Sequence, residues 1–348
     1  MRPKAKARID WVEAAGKLAA SLPRMRLHPR VVEAADAWPR RGTWGIGFSG
    51  GPDSLALLLL VWSHWPDRRR NLRALHFDHR LRGAESRADA AFCRRVCTAL
   101  KVKYVAGVWA GRHRGASEAE ARAARMAFFA RKARVVWLGH QQDDVAETML
   151  MRLARGSGTG GLAAPRPVQP VAGARLHLRP LLNLGKDEIL RALRSAGVSW
   201  RTDSSNIQRD FFRNRIRRDV IPAWIASAQR DALAGAAYSR TLLEEDDSAL
   251  DAWLEELPVR APRNGLALPV LAGKPRGLQR RALHRWLREI FPEYKLSRQA
   301  FEHLLGAVQR GRPTRHSLGR EGFGVIRGGV LRFERTGKAR RRFSRQAN

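Results

Sequence analysis

The sequence predicts an α/β protein, a doubly wound parallel sheet followed by a smaller, mainly helical C-terminal domain. Three observations carry this. Four short apolar runs, at residues 43–48, 72–78, 101–108 and 135–139, alternate with segments of helical periodicity. The first run ends in a Gly-rich turn, Ser49-Gly50-Gly51. Beyond Ala223 the alternation stops. Strands that alternate with helices are joined by crossovers, and crossovers build parallel sheets covered on both faces.

Residues 1–40 read as one or two helices with a basic lead, interrupted at Leu22-Pro23. The run 43–48 is a buried strand, and 55–62 is the helix after the turn. The run 72–78 is a second strand. In residues 86–100, Phe92, Val96 and Leu100 recur on one helix face. Residues 101–108 form a third strand and 117–132 an Ala-rich helix. A fourth strand at 135–139 leads into a helix at 142–154. Residues 156–170 are a Gly/Pro-rich break. Helical patterns resume at 185–196, 231–256, 277–290 and 297–309, and short apolar runs with Gly turns at 313–335 read as small strands. The expected organisation is an N-terminal helical extension (1–40), a nucleotide-binding catalytic domain (41–222), a mainly helical C-terminal domain (223–337) and a basic tail (338–348).

Lys and Arg number 66 against 32 Asp and Glu, a formal net charge of +34. Codon usage explains a preference for Arg over Lys but not a shortage of carboxylates. A charge of this size calls for a polyanionic partner, and nucleic acid is the expectation. No run reaches the ~18 apolar residues of a membrane span, and no apolar segment follows the basic N-terminus as a secretory signal requires. The expected location is the cytoplasm, with no membrane partner. The two cysteines, Cys93 and Cys97, lie four apart on one helix face. They are too few for a disulfide scaffold and read as buried thiols.

Strand, Gly-rich turn, helix is the arrangement that binds phosphate, because N–H groups at the helix start point at the anion. Two familiar fingerprints fail here. Gly45, Gly47 and Gly50 match the dinucleotide spacing, but Gly45 and Gly47 fall inside the strand. The P-loop pattern requires a Gly-Lys pair that is missing. The segment Ser49-Gly50-Gly51-Pro52-Asp53-Ser54 instead resembles the PP-loop of the N-type ATP pyrophosphatases. That resemblance implies a loop cradling the pyrophosphate half of ATP and leaving the α-phosphate open to attack. Asp53 is then a candidate Mg²⁺ ligand, since a hard cation prefers oxygen.

Further blocks follow in order. The second strand ends in His76-Phe77-Asp78-His79-Arg80-Leu81-Arg82, where open α/β sheets put ligands. Ser117 with Glu120 forms a capping box, and Arg122 and Arg125 share the face of the helix that follows. After Gly139-His140, Asp144 and Glu147 lie i, i+3 on one face. Two such carboxylates need a cation between them: an ammonium substrate, Mg²⁺ or local arginines. Then come Arg155-Gly156-Ser157-Gly158-Thr159-Gly160-Gly161-Leu162, Arg179-Pro180-Leu181-Leu182, Asp203-Ser204-Ser205-Asn206 and Arg213-Asn214-Arg215-Ile216-Arg217.

The ordered set, spanning roughly residues 43–222, resembles the tRNA(Ile)-lysidine synthetase family. The resemblance implies two steps. ATP adenylates the C2 oxygen of the wobble cytidine in the isoleucine tRNA with a CAU anticodon, and free L-lysine then displaces AMP. It implies that Ser49, Gly50, Gly51, Pro52, Asp53, Ser54, His76 and Asp78 contact ATP. It implies that Asp144 and Glu147 accept the lysine ammonium, and that His140 and Arg122 contact nucleotide or base. Arg213, Arg215 and Arg217 are expected to order the site or to contact tRNA phosphates. The base that deprotonates lysine and the oligomeric state, with a homodimer as one option, stay open.

The chain departs from the family pattern at Gln141, where a second histidine is usual, at Val145, where Gln is common, and at Met126, where Tyr often stands. None of these removes a charge the chemistry needs. The rival readings are a PP-loop tRNA thiolase, for which Cys93-x-x-x-Cys97 has the wrong spacing, a PP-loop amidotransferase-type synthetase, and a nonenzymatic RNA-binding protein.

Overall fold

The computed structural model describes residues 9–79, 84–110, 117–202, 212–291, 296–320 and 322–335. Arg80, Leu81, Arg82 and the block Asp203 to Asn206 lie outside them. The chain divides into two compact units, Met1–Glu244 and Glu245–Asn348.

The first unit opens with α1 (Trp11–Ser21) and α2 (Pro29–Ala37). Asp10 caps α1 by accepting from the N–H groups of Val12 and Glu13, at 2.9 and 3.1 Å. Ala14, Leu18, Val31 and Ala35 of these helices join the main core of the unit. Next come β1 (Trp44–Gly47), α3 (Pro52–His64), β2 (Leu72–Asp78), α4 (Ala84–Ala99), β3 (Lys103–Val108), α5 (Glu118–Lys132), β4 (Val135–Trp137), α6 (Gln142–Leu153) and α7 (Thr159–Leu162). A hairpin of β5 (Val168–Val171) and β6 (Arg175–Leu178) follows, then α8 (Lys186–Ser195), α9 (Phe212–Arg215), a π turn at Ile216–Val220 and α10 (Ile221–Ala228). The helix α11 (Ala232–Glu255) contains the boundary between the units.

Six strands make one sheet in the order β3-β2-β1-β4-β6-β5. All pairs are parallel except β5 with β6. Chain order runs outward from β1 through β2 to β3 and resumes on the other side at β4. The switch point lies between β1 and β4, where loops leave in opposite directions and open a crevice. Every residue of α3 from Ser54 to Trp62 is buried, as expected of a helix apolar on all sides. On the other face Phe128 and Phe129 of α5 pack on Leu75, Val136 and Leu138. A Cβ on Gly45 would come within 2.6 Å of Leu75 and 2.9 Å of Ala133. The strand glycines therefore answer to close packing against α5, and not to a dinucleotide. The indole rings of Trp44, Trp65 and Trp137 cluster at centroid distances of 5.0–5.9 Å.

At the end of the unit Arg30 of α2 reaches the buried carboxylate of Glu244 on α11 at 2.9 Å, and Arg240 of the same helix, 1% exposed, donates to Glu244 at 2.6 Å. The compact unit thus includes both N-terminal helices and continues past residue 222, the boundary the sequence suggested.

The second unit holds the end of α11, then β7 (Arg260–Ala261), β8 (Gly265–Ala267), α12 (Arg276–Ile290), α13 (Arg298–Arg310), β9 (Thr314–Ser317), β10 (Gly322–Arg327) and β11 (Val330–Arg335). Its strands form a second sheet in the order β7-β8-β11-β10-β9. The core joins Leu283, Trp286 and Leu287 of α12 to Leu304 and Leu305 of α13 and to Ile326 and Leu331 of the sheet. Arg281 pairs with Asp247 and Asp251, and Arg285 with Asp251 and Glu255, so acidic residues of α11 hold α12. A five-stranded antiparallel sheet thus stands beside the expected helices. Among the described residues no helix is long and apolar enough to cross a membrane.

Candidate functional site

The loop between β1 and α3 closes on its own hydroxyls. Ser54 Oγ accepts from the Ser49 N–H at 3.2 Å, donates to the Gly51 carbonyl at 3.0 Å and lies 3.1 Å from Ser49 Oγ. Gly50 sits at φ +90°, and a Cβ there would meet Cys93 Sγ at 3.2 Å and Phe92 at 3.3 Å. Only glycine takes this backbone shape without strain. Pro52 starts α3 at a position where its missing N–H costs nothing. The first-turn N–H groups of α3 have no carbonyl of their own helix to bond, and the helix dipole adds positive potential. The result is a backbone seat for phosphate.

Asp53 faces this seat. Its Oδ1 is buried and makes no hydrogen bond, while Lys186 Nζ lies 3.9 Å from Oδ2. Burial lifts the carboxyl to about pKa 6; Lys186 opposes the rise, and Asp144 and Asp143 add to it. A buried carboxylate oxygen with no donor and two acidic neighbours fits a hard divalent cation. Asp53 is therefore the residue that would hold Mg²⁺.

At the end of β4, Gly139 rests on the start of α3: a Cβ there would touch the Asp53 carbonyl at 3.0 Å. This contact sets His140 and the start of α6 beside the phosphate loop. Gln141 caps α6 with its side chain, accepting from the Asp143 N–H at 2.6 Å, and its own N–H donates to Asp144 Oδ2 at 3.0 Å. The residue standing where the family has a histidine is here a buried cap.

Asp144 and Glu147 do share a face, and the cation between them is arginine. Glu147, 0% exposed, takes Arg213 Nε at 2.6 Å and Arg217 Nη2 at 3.1 Å on one oxygen, and Arg217 Nε on the other. Arg213 also bonds Asp144. Burial raises the Asp144 carboxyl, and Arg213 works against that rise. Of the basic triplet, Arg213 and Arg217 thus face inward to the site. Arg215 is exposed, with its guanidinium 5.7 Å from the Phe212 ring.

His76 is buried and donates from Nδ1 to the Phe48 carbonyl at 3.0 Å, which ties β2 to the root of the loop. Burial lowers its pKa. Asp78 ends β2, and its carbonyl accepts from the Trp109 N–H at 3.0 Å. Ser117 and Glu120 form the expected capping box on α5, which carries Arg122 at its exposed first turns. Arg122 lies close enough for its charge to depress the pKa of His140, Arg179 and His177.

Three residues reach the site that motif reading did not place there. Lys186 opens α8, where a cation opposes the helix dipole; that local misfit was the readable signal. Arg201 binds the loop, donating its N–H to the Gly50 carbonyl at 3.0 Å and its Nε to Asp89 at 2.7 Å. Arg179 reaches His140. Arg201 carries no local signal, and the Arg179-Pro180-Leu181-Leu182 block names no role for Arg179 by itself, because the partners of both are distant in sequence.

The chain is 39% identical over 214 residues to the tRNA(Ile)-lysidine synthase of Symbiobacterium thermophilum, covering 59% of this chain and 44% of that one. It is 35% identical to the same-named protein of Geobacter sulfurreducens, covering 74% and 57%. For the Pseudomonas syringae protein of that name the identity is 37%, covering 75% and 61%. The chain thus spans about half the length of these curated relatives. Residues 9–224, most of the first unit and all of its sheet, match the family described as PP-loop domain, and the chain belongs to that PP-loop family.

Proposed function

We propose that this chain is an ATP-dependent ligase that joins lysine to C2 of the wobble cytidine in the isoleucine tRNA with a CAU anticodon. The observation that carries the reading is the gathering of the phosphate loop, His140 and the Asp144–Glu147 pair at one switch point, in a chain whose relatives bear the lysidine synthase name.

In the first step the cytidine O2 attacks the α-phosphorus of ATP. The bond from that phosphorus to the pyrophosphate oxygen breaks, and pyrophosphate leaves. Backbone N–H groups of the loop and the start of α3 orient the departing pyrophosphate. Asp53 would hold Mg²⁺, which would supply neutralising charge when bound, and Lys186 places a cation beside Asp53. In the second step the lysine ε-ammonium gives up a proton to a carboxylate or to water, its Nε attacks C2, the C2–O bond breaks and AMP leaves with the bonding electrons. Hydroxide is a poor leaving group from C2; AMP is a good one. Lysine entry exchanges guanidinium for ammonium at Asp144 and Glu147, which keeps the buried carboxylates neutralised. Arg122 contacts the nucleotide or base.

Arg215 and the basic surface of a chain of charge +34 supply sequence-blind affinity for tRNA phosphates. The second unit takes part in that binding, and the location is the cytoplasm, where unmodified tRNA is found. The thiolase reading is the weaker one. Cys93 and Cys97 are buried, and burial pushes both thiols up, Cys97 to about 12, so neither is a ready nucleophile.

The test is incubation with labelled lysine, ATP and unmodified tRNA. Lysine label in tRNA, with one AMP released per lysine, is the expected result. Label entering only from a sulfur donor, or no label at all, overturns the reading.

A further inference from the structure

His140 stands at the mouth of β4, beside the phosphate loop, and one of its neighbours fixes its proton. Arg179, 3% exposed, follows β6, the neighbour of β4 in the sheet. Its guanidinium is held on three sides. Nη1 donates to the Arg166 carbonyl at 2.7 Å, Nη2 to Gln169 Oε1 at 2.9 Å and Nε to His140 Nδ1 at 3.2 Å. A guanidinium can only donate. His140 Nδ1 must therefore present a lone pair, and the ring proton sits on Nε2.

We propose that Arg179 is a positioning residue that locks His140 as the neutral Nε2–H tautomer, making His140 a hydrogen-bond donor in the site and excluding it as the base that deprotonates lysine. A base needs a lone pair facing its substrate; here the ring's lone pair is taken by Arg179. A second ring proton would sit on Nδ1 and break the Arg179 bond. It would also add a cation among Arg122 and Arg125 of α5, Arg213 of α9 and Arg179 itself, with burial already lowering the pKa. The Nε2–H group suits an oxygen that gains negative charge, such as a phosphate oxygen of the adenylate. The lysine proton then passes to a carboxylate or to water. The role in the reaction rests on the proposed ligation, whereas the tautomer does not.

The test begins with the ¹⁵N-labelled full chain. Long-range ¹H–¹⁵N spectra distinguish protonated from bare imidazole nitrogens, and the His140→Gln spectrum identifies the His140 signals. Bare Nδ1 and protonated Nε2, constant from about pH 6 to about pH 8, are expected. Arg179→Lys retains one donor and preserves this pattern, while Arg179→Met gives a mixture of tautomers. A proton on Nδ1 in the unmutated chain, or titration across this range, overturns the proposal even if the Arg179 variants do not fold.

The second readout is the rate of lysine incorporation into tRNA. Gln keeps an acceptor at one end and a donor at the other, whereas Leu keeps neither. His140→Gln should stay within about tenfold of the unmutated rate and His140→Leu should lose about 100-fold, a typical effect of removing a hydrogen-bond donor to a developing oxyanion. Equal loss in both marks His140 as a base and overturns the proposal. Failure of lysine ligation with the expected tautomer intact would instead overturn the proposed function.

Discussion

The phosphate loop and the Asp144–Glu147 cluster stand at the ends of adjacent strands and are built by opposite means. The loop is local: residues 49–54 bond one another, glycine provides the shape, and the first turn of α3 provides the donors. The cluster is assembled from afar, with carboxylates of α6 neutralised by arginines about 70 residues later. The difference lies in what each site asks of folding. The loop needs backbone geometry, which a short segment specifies. The cluster needs two buried charges to be met by two others, which only the closed tertiary structure supplies. Asp53 belongs to the first region in sequence, yet its Oδ1 has no hydrogen-bond partner. No hydrogen bond of that oxygen holds the loop.

Four measurements would break or sharpen this comparison. The largest effect is expected at Asp53. Asp53→Asn should reduce ATP-dependent pyrophosphate release about 1000-fold, while urea denaturation shows unchanged or raised stability, because a buried charge is removed. Lost stability would make Asp53 a structural group. Glu147→Gln should do the reverse in kind. Two guanidinium groups lose their buried partner, and a cost of about 3 kcal/mol is expected in the same denaturation series. A change below about 0.5 kcal/mol would mean that the arginines are not needed to hold α9 on α6.

The third is a pH series. His28 and His177, buried beside Pro180 and on β6, both have pKa values near 4, chiefly through burial. The unfolded chain takes up protons near pH 6.5, so it binds more protons than the folded one between about 6.5 and 4. Stability is complete above about pH 6.5 and falls as pH drops toward 4, by on the order of 2 kcal/mol per histidine. His28→Gln should flatten that acid limb, and an unchanged limb would assign it to other groups. The smallest effect is expected for Gly50→Ala. At φ +90° with Cys93 and Phe92 close, alanine should cost about 1 kcal/mol. The same change should weaken ATP binding, read by titration calorimetry; a loop that tolerates it with full affinity is not held as rigidly as its hydrogen bonds imply.

Much of the fold was legible because the first four strands and their helices have clean periods. The hairpin of β5 and β6 was not. It falls at and just beyond a stretch read as a Gly/Pro break, and Pro170 argues against a strand. Pro170 is tolerated because β5 is the edge of the sheet, where an N–H is not required. Gly173 and Ala174, at φ +78° and +50°, form the turn; a glycine between two short apolar runs was the available hint. In the second unit, β7 and β8 are two and three residues long, below the length at which alternation can be recognised.

The sequence by itself determined the parallel α/β architecture, the phosphate loop and the pairing of Asp144 with Glu147 on one face. Each follows from residues within a few positions of one another, where backbone geometry and helical spacing leave few alternatives. Tertiary structure alone decided that arginines 213 and 217 neutralise those carboxylates, that Arg179 takes the lone pair of His140, and that Lys186 stands beside Asp53. These are meetings of charged or polar groups across the switch point, and no local spacing records them. Their partners are chosen by burial, since a charge or polar group removed from water must find a counterpart wherever the fold brings one.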